Sequence, residues 1–129
     1  MVLTLLIIDR DPLLLQQVAR QLRPHRVLQA TSGLLGMTVI RSGQHVDGVL
    51  ASVDLSGMTG MEVLGALHEE YPELAPRFAY LASPTPQLLQ DGAPLLGRPP
   101  STEALLRWSE GLSHLTRAPV YSRLTGARP

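Results

Sequence analysis

The chain has 129 residues and a formal net charge of zero, its eleven acidic side chains balanced by eleven basic ones, all of them arginine. That length holds one hydrophobic core and not two full ones; 44% apolar residues and the absence of cysteine exclude a disordered chain, a disulfide framework and a thiolate metal site. Balanced charge gives no global field toward nucleic acid or a membrane surface, so neither is an expected partner.

Val2–Ile8 is a continuous apolar run, as expected of a strand buried on both faces. It is too short to cross a bilayer and is followed at once by Asp9-Arg10-Asp11, so it reads neither as an anchor nor as a leader, and a cytoplasmic protein is expected. Asp11-Pro12 opens a helix, with Asp as N-cap and Pro at the first helical position. Leu14, Val18 and Leu22 give that helix its stripe, and Pro24 stops it. Arg26–Ala30 reads as a second strand, and Leu34–Arg41 as a helix weakened by Gly36. The third strand falls on Gly48–Val53. Met61–Tyr71 is the next helix, with Met61, Leu64 and Leu67 inward. Arg77–Ala82 reads as a fourth strand. Ser83–Gly92 then leaves room for little more than one helical turn, at Gln87–Gln90. Pro94–Gly97 is a short fifth strand, and Ser101 caps a last helix whose Leu105, Trp108, Leu112 and Leu115 share one face. Residues 116–129 form a tail with three arginines and no acidic residue.

Alternation of strand and helix predicts an α/β fold: a flavodoxin-like, doubly wound five-stranded parallel sheet of order 2-1-3-4-5, with a shortened fourth helix. Its ligand crevice would lie at the carboxyl ends of the first and third strands. Residues 1–115 would make the domain and 116–129 the tail.

Four segments in order resemble the receiver domains of response regulators. LLIIDRDP (5–12) is similar to the family's first strand and acidic cluster, VDGVLASVDLSGMTGMEVL (46–64) to its third strand and following loop, RFAYLAS (77–83) to its fourth strand, and PLLGRPP (94–100) to its fifth. The resemblance implies a site in which a carboxylate accepts a phosphoryl group beside a divalent cation. Asp9 matches the first cation-binding carboxylate, Arg10 falls on the second, and Asp11 matches a third acidic position. Ser52 stands where the family has its phosphoacceptor aspartate. Asp54 falls where the family lends a backbone carbonyl to the metal. Ala82 takes the place of a hydroxyl residue, with Ser83 one position off, and Arg98 replaces a lysine. Leu95 falls on a switch aromatic. The likeness is therefore to a degenerate receiver lacking the phosphoacceptor.

Aspartyl phosphorylation needs a carboxylate nucleophile, a held cation, and groups that receive the transferring oxygens. A serine is a far weaker nucleophile without a general base in reach, and His25, His45, His68 and His114 fall away from the strand ends. A guanidinium at position 10 opposes a divalent ion and invites pairing with Asp9, Asp11 or Asp54. Three outcomes follow: an internal salt-bridge cluster in place of metal and phosphate, a displaced phosphoacceptor at Asp54 or Asp9, or a small-anion pocket between Arg10 and Arg98. Asp11 also reads as a simple helix cap. The glycines of the Gly57–Gly60 loop read as turn formers with positive φ and lack a dinucleotide-site spacing.

The resulting expectation is a stand-alone pseudo-receiver: no enzyme, no cofactor and no metal, acting through protein–protein contacts independently of phosphorylation. Its rivals are a residual phosphoacceptor and a nucleic-acid adaptor using the arginine tail. A pared fourth helix should bare the sheet edge near Leu95 and Leu96. These residues, Trp108 and Tyr121 are the expected partner surface, for a signalling protein or a second copy.

Overall fold

The computed structural model describes residues 1–115; Tyr121 and the tail arginines Arg117, Arg123 and Arg128 lie outside the described residues. Strands β1 (Thr4–Ile8), β2 (Arg26–Ala30), β3 (Gly48–Ser52), β4 (Phe78–Leu81) and β5 (Leu95–Leu96) alternate with helices α1 (Pro12–Gln21), α2 (Gly33–Arg41), α3 (Gly60–Glu70), α4 (Pro86–Gln90) and α5 (Thr102–His114). All strand pairs are parallel and the order is β2-β1-β3-β4-β5, as expected. Parallel strands covered on both faces need no polar face, which is why β3 and β4 are buried along their whole length.

The period-2 alternation of the strands feeds two cores. Leu6, Ile8, Val49, Ala51 and Tyr80 pack with α2 and α3 on one face; Leu5, Ile7, Leu50 and Leu81 pack with α1 and α5 on the other. Capping sets the helix starts. Asp11, Ser32, Thr59, Thr85 and Ser101 each accept a backbone N–H of the helix they open, and Thr59 with Glu62 forms a reciprocal capping box.

Several expectations change in detail. Met61 is exposed, and α3 turns Val63, Leu64 and Leu67 inward instead. Leu115 lies beyond the end of α5 and is exposed rather than part of its buried face. Gly36 is required rather than merely tolerated, because a Cβ there would lie 2.3 Å from Cδ1 of buried Ile8. In the Gly57–Gly60 loop only Gly57 has positive φ, at 77°. Gly60 serves close approach: its Cβ would lie 2.3 Å from the carbonyl oxygen of Ser52.

The fourth helix is short, five residues, as expected. The edge beside it is less bare than expected. Leu96 is buried under α5, Leu95 is half-buried, and Leu88 of α4 remains in the core. Two strand residues suffice to point one side chain into each core, so little apolar edge is left uncovered.

Candidate functional site at the strand ends

The carboxyl ends of β1, β3, β4 and β5 meet around Asp9. Its side chain is wholly buried, 0% exposed, immediately after the apolar strand that carries it. A buried carboxylate is costly unless its lone pairs are filled, and here they are. Ser52, the last residue of β3, donates its hydroxyl to Oδ2. Arg98, just beyond β5, donates Nε to Oδ2 at 2.8 Å and an Nη to Oδ1 at 3.0 Å. The backbone N–H of Asp11 reaches Oδ1 at 2.8 Å. Burial by itself would push the Asp9 carboxyl up. The hydrogen bonds from Arg98, Ser52 and Asp11, together with the Arg98 charge, outweigh it and hold the group below its ordinary value. Arg98 is in turn held more firmly protonated, chiefly by its hydrogen bonds to Asp9.

Arg10 turns away from Asp9. Its guanidinium donates to Asp54 twice, to the backbone carbonyl at 3.0 Å and to Oδ2 at 2.6 Å. This second pair is open to water, with side chains 51% and 90% exposed. A pocket of about 250 Å³ lies between the two pairs, lined by Arg10, Ser52, Asp54, Ala82, Ser83 and Arg98. Ala82 offers it a methyl group and no hydroxyl, while its backbone N–H bonds Leu96 across the sheet. Asp11 accepts the N–H of Leu13 and caps α1.

No histidine enters this cluster. His25 Nδ1 accepts the N–H of Leu3 at the opposite end of β1, and His45 pairs with Asp47 at 2.9 Å. Ser52 therefore has no imidazole base.

No protein-family model matches the sequence, and no curated protein matches it. Solved structures do. The chain is similar to a response regulator receiver domain protein from Clostridium thermocellum, with TM-score 0.74 and 20% identity over 86% of this chain and 94% of that one. It is also similar to the chemotaxis protein CheY4 of Vibrio cholerae, with TM-score 0.75 and 21% identity over 87% and 99%. A third likeness is to the signal receiver domain of the putative response regulator NarL from Mycobacterium tuberculosis, with TM-score 0.72 and 22% identity over 88% and 98%.

The fold is that of a receiver domain.

On that fold the residues singled out in the sequence fall together at one place. Asp9, Arg10, Ser52, Asp54, Ala82 and Arg98 are neighbours in space although they come from four strand ends. The cation and phosphoryl group that the resemblance implies do not fit these residues. Both oxygens of Asp9 are engaged from within the chain, and the Asp54 carbonyl is taken by Arg10. Among the described residues no cluster of three His, Asp or Glu side chains is arranged to hold a metal ion.

The sequence leaves Arg10 three candidate aspartates and gives Arg98 no particular partner; it does not show that Arg98 pairs with Asp9. The signal was available in principle: the Arg-Pro step at the end of the fifth strand, set opposite an aspartate at the end of the first. Arg77 likewise reads in the sequence only as a strand residue. Arg77 is buried at the other end of the sheet, donating Nε to the Asp47 carbonyl and an Nη to that of Leu112 at 3.0 Å. It ties the start of β3 to the end of α5.

Proposed function

We propose that this chain is a degenerate receiver, a signalling or adaptor module that works through protein–protein contacts without phosphoryl transfer. One observation carries the reading: the carboxylate of Asp9 is spent on Ser52, Arg98 and a backbone N–H. The chain's own arginine supplies the positive charge that a cation would bring, and a hydroxyl replaces the acceptor. A guanidinium is always protonated at physiological pH, so the cluster holds one arrangement and needs no modification to reach it. Such a module is not an enzyme. It carries no helix, among the described residues, long and apolar enough to cross a membrane, and we place it in the cytoplasm. We assign its contacts to the face formed by β5 and α5, where half-buried Leu95 lies over buried Leu96 and Trp108, for a signalling protein or a second copy; Tyr121 would extend that face.

The test uses the intact chain with millimolar magnesium and acetyl phosphate or beryllofluoride. The expected result is no acyl phosphate by intact-mass spectrometry and no change in Trp108 fluorescence. Ser52→Asp alone should stay inactive, because Arg98 still occupies Asp9 and Arg10 still opposes the cation; Ser52→Asp with Arg10→Asp and Arg98→Lys is the informative control. Stoichiometric label mapped to Asp54 would favour the rival in which that exposed carboxylate is a displaced acceptor. Label on Asp9 is disfavoured by its burial and its lowered proton affinity. The nucleic-acid rival predicts steeply salt-dependent binding that depends on the tail arginines.

A further inference from the structure

Strand β2 is the outer strand of the sheet, on the side away from β5. Its register with β1 decides which backbone groups face inward. The N–H of Arg26 donates to the Leu3 carbonyl, and the Ala30 carbonyl accepts from Asp9. Backbone direction alternates along a strand, so Arg26, Leu28 and Ala30 bond to β1 while Val27 and Gln29 turn their N–H and C=O groups outward. Among the described residues nothing bonds those outward groups. Val27 and Leu28 pack onto the two cores from opposite faces, which holds the edge in place. The edge thus presents backbone to water.

The charges beside this edge are unbalanced. Arg20 lies in the last turn of α1, Arg23 two residues beyond its end, and Arg26 is the first residue of β2; all three are exposed. Among the described residues Arg10, Arg41, Arg98 and Arg107 each pair with a carboxylate. Arg77 donates to two backbone carbonyls. Arg20, Arg23 and Arg26 have no such partner, and half-buried His25 between them accepts the Leu3 N–H. The carboxyl end of a helix favours one nearby cation, which Arg20 supplies. Arg23 and Arg26 go beyond that need.

We propose that the β2 edge receives an extended segment of a partner protein, which adds a sixth strand and sets acidic side chains against Arg23 and Arg26. Val27 and Gln29 supply the backbone donors and acceptors for the new ladder, and the arginines supply its selectivity. Charged residues often guard an edge against pairing. Here the middle of β2, Val27–Gln29, carries none, and the arginines stand at its entrance. A nucleic acid would satisfy the arginines but has no amide backbone to complete a ladder, and β2 has no aromatic ring on which a base could stack. A second copy laid antiparallel on the edge, Val27 opposite Gln29, would set Arg26 against Ala30 and bring it no carboxylate. This surface lies at the opposite edge of the sheet from the β5–α5 face, so the inference goes beyond the reading above and does not depend on it.

The test titrates the isotope-labelled full chain with the peptide acetyl-Thr-Val-Thr-Val-Thr-Glu-Glu-Glu-amide at low salt and follows its backbone amide signals. The Val27 and Gln29 signals should shift, and their hydrogen exchange should slow. Arg23→Gln with Arg26→Gln should weaken binding about tenfold, the worth of two exposed ion pairs. Replacing the three glutamates of the peptide with glutamine should do the same. Gln29→Pro is tolerated because that N–H faces out of the sheet; it should abolish the shift at Val27 with all three arginines in place, and circular dichroism checks the fold. No shift at Val27 and Gln29 with millimolar peptide overturns the inference. Binding indifferent to Gln29→Pro overturns it too, because charge alone would then be at work. The same shifts produced by oligothymidylate, or by concentrating the chain without peptide, would make nucleic acid or a second copy the occupant and overturn it likewise. Acyl phosphate formation would defeat the proposed function and leave this result standing, so the two fail separately.

Discussion

Replacing Arg98 with methionine isolates the ion pair on which the site is built. Methionine keeps a flexible stem and removes every donor. Asp9 accepts four hydrogen bonds, two of them from Arg98. Removing one partner of a wholly buried pair costs about 3–5 kcal/mol. Here two contacts to Asp9 survive, and the Arg98 side chain is 29% exposed, so water can take its place. The expected loss is therefore smaller, roughly 2–3 kcal/mol at neutral pH.

The loss should depend on pH. In the parent the folded Asp9 carboxyl lies below its ordinary value. Its contribution is fully present above the unfolded value, about 3.9, and is lost as pH falls through the lowered folded one. Without Arg98 the first of the effects that oppose burial is lost, so the folded carboxyl rises from its lowered value. The variant then takes up its proton at a higher pH than the parent, so the gap between them is widest at neutral pH and narrows as acid protonates Asp9 in the variant. Urea unfolding followed by Trp108 fluorescence at about pH 7 and about pH 4.5 measures both quantities. A loss below about 0.5 kcal/mol, or one equal at the two pH values, would refute the role given to this pair. Asp9→Leu combined with Arg98→Met should be less unstable than Arg98→Met alone, because no charge is left buried.

Arg10→Ala should cost no more than about 0.5 kcal/mol, since its pair with Asp54 is open to water; denaturant midpoints at low and high salt check this. Gly60→Ala should cost about 1–3 kcal/mol, because the new methyl meets the Ser52 carbonyl that ends β3; thermal unfolding reads the loss. Tyr80→Phe removes the 2.7 Å hydrogen bond to Asp91 that fastens the chain between α4 and β5. It should cost about 1 kcal/mol and speed amide exchange in residues 86–93. Burial first, and then that bond, push the Tyr80 phenol well above its ordinary value, so near-ultraviolet titration should find one tyrosine ionising last.

The order of elements, the caps at Asp11 and Ser101 and the shortness of α4 were legible in the sequence, because each rests on local chemistry. Asp11-Pro12, Ser101 and the apolar run before Asp9 act within a few residues of themselves. That Arg10, Ser52, Ala82 and Arg98 line one crevice was legible too, because the alternation of strands and helices puts those strand ends on one side of the sheet. Which arginine meets which aspartate was not. Asp9 and Arg98 are 89 positions apart and meet only because β1 and β5 end on the same side of one parallel sheet. Met61, Leu115 and Gly36 likewise read differently once packed, since helical spacing says which residues share a face and not how far that face extends before solvent begins. Local propensity decides the elements. The pairing of buried charges is decided by desolvation, which exists only after the sheet and its covering helices have closed around Asp9.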